Sequence, residues 1–169
     1  MMRIISTKTR NRIEAQGFVG IEDANLAQVN YWLRFSPAIC MTWTAVGVVL
    51  ASPLILWALV PFALLGGILR GHPFDVLYNY GLRHIFKTPK LPPYGLPRRF
   101  ACLSAAGLLM IAALGFQFGA AIVGYAVGGF MVIAAFTNVS TGFCIPSFIF
   151  GLIFGKQTCE YQPKTLKDS

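Results

Sequence analysis

Asp, Glu, Lys, Arg and His are absent from Phe35 to Leu69 and again from Phe100 to Gly155. Roughly 20 helical residues cross the hydrocarbon layer, so an uncharged apolar run beyond about 18 residues reads as membrane-spanning. Each of these runs is too long for one crossing and reads as a pair of helices. Charge is scarce overall: 12% of residues are charged and 56% are hydrophobic, against about 25% charged in an ordinary soluble domain. A water-soluble fold is thereby excluded. With no acidic residue and no histidine inside either run, proton relays and ion-coupled pumps are disfavoured, because these place such groups in the membrane. No glycine-rich phosphate loop and no Ser/His/Asp set is discernible. The net charge of +8 is not arranged as a basic stripe interleaved with aromatics, so nucleic acid is not an expected partner.

The cations that are present fall in three groups: Arg3 to Arg34, Arg70 to Arg99, and Lys156 to Lys167. The two runs are interrupted at Ala51-Ser52-Pro53 and around Gly115 to Gly119, and neither interruption is charged. Cationic segments stay cytoplasmic. The pattern therefore predicts an all-α membrane protein with four transmembrane helices, arranged as two hairpins with both termini inside. The expected division is a cytoplasmic N-terminal segment (1–29), a four-helix domain (30–155) and a cytoplasmic C-terminal tail (156–169). The N-terminal segment reads as interfacial or loosely structured, with Asp23 suited to capping a helix that leads into the first span. The spans are expected near 30–51, 53–69, 99–115 and 120–155. Pro61 should kink the second.

The fourth segment holds Thr137, Asn138, Ser140, Thr141, Gly142 and Pro146, a mixture that predicts a broken or kinked helix. Earlier in it, Ala120, Gly124 and Gly128 form a small-residue ladder that permits close helix packing. The loop 70–99 joins the hairpins. Phe74, Leu77, Tyr78, Leu82 and Ile85 share one helical face there, predicting a short amphipathic helix on the cytoplasmic membrane surface, begun by Pro73 and Asp75. Arg70, Arg83, Lys87, Arg98 and Arg99 are then placed to contact lipid head groups. His72 and His84 read as surface residues rather than metal ligands. Pro89 to Pro97 reads as an extended spacer.

The cysteines are Cys40, Cys102, Cys144 and Cys159. Their spacing makes neither a zinc site nor a C-x-x-C pair, and Cys40 and Cys102 read as small apolar residues. Cys144 is the one weak catalytic candidate, because it lies in the polar, interrupted stretch. A reactive thiol there would need a nearby cation or a helix N-terminus.

Asp23-Ala24-Asn25…Val29-Asn30, Arg99-Phe100-Ala101 and Gly142-Phe143-Cys144 resemble a bacterial family of small four-helix membrane proteins classed as a domain of unknown function, with an R-F-A…G-F-C-x-x-C pattern. The resemblance spans about residues 20 to 155. It implies four spans, no assigned reaction, and a paired-cysteine motif that invites a thiol-redox or sulfur-handling role. This chain departs at Ser147, where the pattern has its second cysteine, and serine cannot resolve a mixed disulfide. Cys159 lies too far along the chain to replace it by local spacing.

Three functions are weighed. The first is a non-enzymatic accessory subunit of a larger, energy-converting complex in a bacterial inner membrane, with lipids and other integral subunits as partners. It would hold bound lipid and, as an option, a pigment, with no cofactor called for by the residues. The second is a membrane thiol-redox or sulfur-transfer protein using Cys144. The third is a carrier of small neutral solutes, resting on the broken fourth helix.

Overall fold

The structure, a computed structural model, describes residues 6–18, 23–69, 71–86, 88 and 90–155, with the side chains of 23–25 left aside. Arg70, Lys87, Cys159, the Asp23 cap and the tail 156–169 lie outside what is described. The described residues are helical with no strand. In chain order the helices are α1 (Thr7–Ala15), α2 (Asp23–Val29), α3 (Phe35–Val49), α4 (Pro53–Ile68), α5 (Pro73–Leu77), α6 (Arg83–Phe86), α7 (Leu96–Gln117), α8 (Ala121–Thr141) and α9 (Ile145–Phe154). A 3₁₀ turn at Trp32–Arg34 leads into α3, and a π turn at Tyr78–Leu82 joins α5 to α6.

Proline sets several of these boundaries. It sits in the first turn of α4, α5, α7 and α9, where its missing N–H has no helical partner to lose. Pro61 lies inside α4, and the helix continues through it. The two uncharged interruptions are tight reversals. One passes through Ala51 at φ 46°, the other through Gly119 at φ 78°.

Two helices, α7 and α8, are long and apolar enough to cross a membrane. At 15 and 16 residues, α3 and α4 fall short of that length. The first expected helix is shorter than 30–51 because Trp32–Arg34 tightens into the 3₁₀ turn instead of extending it.

Lipid gives no hydrophobic push between helices, so packing has to come from close approach. The α4–α7 contact supplies it: Ala63, Gly66 and Gly67 on α4 face a helix that buries Ala106, Leu109, Ala112 and Ala113. Two tryptophans tie the reversals together. Trp43 Nε1 donates to the Ile55 carbonyl at 2.9 Å, and Trp57 Nε1 donates to Gln117 Oε1 at 3.0 Å. The latter bond places the start of α4 beside the end of α7, so both reversals lie at one end of the bundle.

At the opposite end, the described part of the N-terminal segment packs into the fold. Ile13, Phe18, Leu26, Val29 and Leu33 are buried with Tyr78, Leu91 and Tyr94 in a second core. The sequence missed this because no continuous periodic face crosses residues 6–33; the apolar residues come singly and meet only in space. Leu91 and Tyr94 likewise make the Pro-rich stretch part of this core and more than a spacer.

The connecting loop is helical in its first half. His72 caps α5, with Asp75 accepting from the His72 backbone N–H in return, and Phe74 and Tyr78 pack inward. Leu77, at the end of α5, is exposed, and the π turn that follows adds residues to the winding, so Ile85 is exposed as well.

The expected break in the last segment is a reversal. α8 ends at Gly142, in the left-handed region at φ 69°. α9 then runs back beside the start of α7, with Ser147 against Pro97 and Phe150 against Phe100.

Candidate functional site

The last carbonyls of α8 would be orphaned inside a membrane. They are met by side chains from far upstream. Arg12 Nη1 donates to the Thr141 carbonyl at 2.7 Å, Gln16 Nε2 to Gly142 at 2.7 Å, and Arg34 Nη1 to Val139 and Ser140 at 2.8 and 3.0 Å. Cations at a helix C-terminus also oppose its dipole.

Gln16 turns its other amide atom to Arg98, whose Nη1 donates to Gln16 Oε1 at 2.7 Å while Nη2 donates to the Leu33 carbonyl at 2.6 Å. The guanidinium lies over the rings of Phe18 and Tyr94, 5.1 and 4.7 Å from their centroids. Arg98, expected at head groups, is therefore buried (6% exposed). Its planar fork and aromatic neighbours supply what water would otherwise provide. Arg99 also turns inward, donating to the carbonyls of Gly67 and Ile68 at 2.9 and 2.8 Å and so closing the end of α4. Arg83 remains partly exposed, its Nε 3.4 Å from His84 Nε2.

His72 is buried, not at the surface. Its Nδ1 accepts from the Phe74 N–H at 3.4 Å, which leaves Nε2 as the protonated nitrogen, 3.8 Å from Cys40 Sγ. Asp75, also buried, bonds the Ser36 hydroxyl and the His72 backbone N–H. Burial pushes the His72 imidazole down to about 4; Asp75 opposes that shift and Arg98 adds to it. An imidazole lowered on folding is protonated more readily in the unfolded chain. Stability is therefore full above the ordinary value near 6.5 and falls as pH drops from there toward 4, by on the order of 3 kcal/mol. The carbon and nitrogen shifts of the His72 ring should stay flat between pH 8 and 5.5 in detergent micelles. A midpoint near 6.5 would refute the buried, neutral assignment.

These groups border a cavity of about 370 Å³ between α3, α4, α7, α8 and α9. Cys40, Cys102 and Cys144 all line it, with His72, Tyr94 and Arg98 at the same end. The three thiols are free. They come from α3, from α7 and from the start of α9, and share this one cavity. A Cβ at Gly66 would lie 3.2 Å from His72 Nε2 and 3.3 Å from Cys102 Sγ, so glycine is what lets both groups approach α4.

Cys144 is the N-cap residue of α9, and it lines the same cavity as the buried Arg98. Ser147, in the first turn of α9, donates to the Pro97 carbonyl at 3.2 Å and is fully buried.

Residues 30–154 match the family described as Domain of unknown function (DUF4395). The chain belongs to that family. No curated protein and no solved structure matches it. The gathering of Cys40, Cys102 and Cys144 was invisible in the spacing, because each comes from a different helix.

The small-residue ladder is used within the chain. Gly124 packs on Phe116, the backbone of Gly124 meets Gly115, and Gly128 packs on Val48. Ala120 lies in the reversal, where its carbonyl accepts from the Val123 and Gly124 N–H groups at 2.9 and 3.2 Å.

Proposed function

We propose that this chain is a membrane-embedded thiol protein with Cys144 as the exchanging thiol and Cys102 as its resolving partner. The carrying observation is the position of Cys144: at the start of a helix, in a cavity whose lining also includes Cys102 and the buried Arg98. Cys102 takes over the part that Ser147 cannot perform. In the exchange, the Cys144 sulfur attacks an incoming disulfide and expels one thiol. The Cys102 sulfur then attacks Cys144, expels the second, and leaves a Cys102–Cys144 disulfide; two thiols are oxidised and one disulfide is reduced.

Maleimide at neutral pH should label Cys144 in open membranes, and Cys144→Ser should remove that label. Mild disulfide treatment should yield a Cys102–Cys144 peptide by mass spectrometry. Absence of both results would remove the reading.

The setting we propose is the inner membrane of a bacterium, with the four long segments as two hairpins and the cation-rich end facing the cytoplasm. The outer face of α8, where Ile122, Ile133 and Phe136 are exposed, supports a second reading as an accessory subunit beside other integral proteins. Stoichiometric co-purification in mild detergent tests it.

A further inference from the structure

The geometry points to a lipid-soluble quinone as the oxidant of this thiol pair, reaching it sideways from the bilayer; this rests on the thiol reading above. α8 and α9 each pack along α7 but not along each other. Between them the cavity is bounded by Phe130 and Ala134 of α8 and Ile149 of α9, and Phe130 and Ile149 are themselves 54% and 44% exposed. Ala101 and Ala105 of α7 form a floor of small side chains between these walls. We place the entrance between these two apolar helices, where it admits molecules already dissolved in hydrocarbon.

At 370 Å³ the cavity is at the lower end of small-ligand pockets, enough for a substituted ring and the first part of a tail. Its walls are apolar, and its inner end carries the thiols with Asn138, Tyr94 and Arg98. A reactant suited to that end accepts two electrons and two protons, because that is what a thiol pair releases on closing. Quinones satisfy both conditions, solubility and stoichiometry. Cys102 and Cys144 lose their two protons and two electrons and form one S–S bond; the quinone gains both protons and both electrons and leaves as quinol.

The test uses the full chain, reduced and anaerobic, in lipid nanodiscs with decylubiquinone, a ring without a free carbon for thiol addition. One equivalent of quinol should form as two thiols disappear, and mass spectrometry should locate the bond at Cys102–Cys144. Cys102→Ser and Cys144→Ser should each abolish quinol formation, and Ala134→Phe, which fills the gap, should slow it at least tenfold. A parallel arm uses diamide, a water-soluble oxidant of thiol pairs. A disulfide with diamide but no quinol with decylubiquinone overturns the quinone assignment and leaves the thiol reading standing. No Cys102–Cys144 bond in either arm overturns both. Quinol formation that persists in Cys144→Ser, or is unchanged in Ala134→Phe, overturns the assigned site.

Discussion

Arg98→Met is expected to destabilise the protein by about 4 kcal/mol, the larger of the two greatest effects predicted from this fold. Methionine keeps much of the length but donates nothing. The Leu33 carbonyl and Gln16 Oε1 lose partners at 2.6 and 2.7 Å, and a hydrogen bond to a charged group contributes about 1.5–3 kcal/mol. The cation over Phe18 and Tyr94 is lost as well, at roughly 0.5–2 kcal/mol. Gln16 is then free to swing from the Gly142 carbonyl, so the harm reaches the end of α8. Arg98→Lys should recover less than half of the loss, since an ammonium cannot span both acceptors in a plane. Unfolding in mixed detergent micelles measures both variants. A change below about 1 kcal/mol for the methionine variant would mean the guanidinium is not holding these elements together.

Gly115→Val is expected to cost about 3 kcal/mol and to splay the α7–α8 hairpin. A Cβ at this position would come within 2.7 Å of the Gly124 backbone nitrogen and 3.2 Å of its Cα. Backbone cannot rotate aside as a side chain does, so the helices themselves must part. Gly107, in the same helix, has open space where its Cβ would sit. Gly107→Ala should therefore be neutral or slightly favourable through helix propensity. If both variants melt together near the parent value, the close approach at Gly115 is not structural.

Some of this architecture could be read from the chain directly. The uncharged runs located the helices that form the bundle, because lipid tolerates few alternatives to apolar helix. Gly142 and Pro146 marked the break, since one favours a left-handed turn and the other cannot continue a helix. What escaped was everything built between distant segments. Arg98 resembled one more cation beside a membrane because its ring neighbours, Phe18 and Tyr94, belong to the N-terminal segment and the Pro-rich stretch. Cys144 looked isolated because Arg98 and Cys102, which share its cavity, belong to another helix. Within the connecting loop, the spacing of Ile85 obeyed helical periodicity, but a π turn at Tyr78–Leu82 is not encoded by apolar periodicity and it changed the register of the residues after it.

The clasp on α8 by Arg12, Gln16 and Arg34 has a consequence for biogenesis. These residues leave the ribosome more than a hundred positions before the carbonyls they bind. The opening segment must therefore wait, unsatisfied, while the rest of the polypeptide is inserted, and ring closure of that size is a late and slow event. Closing this clasp completes the bundle.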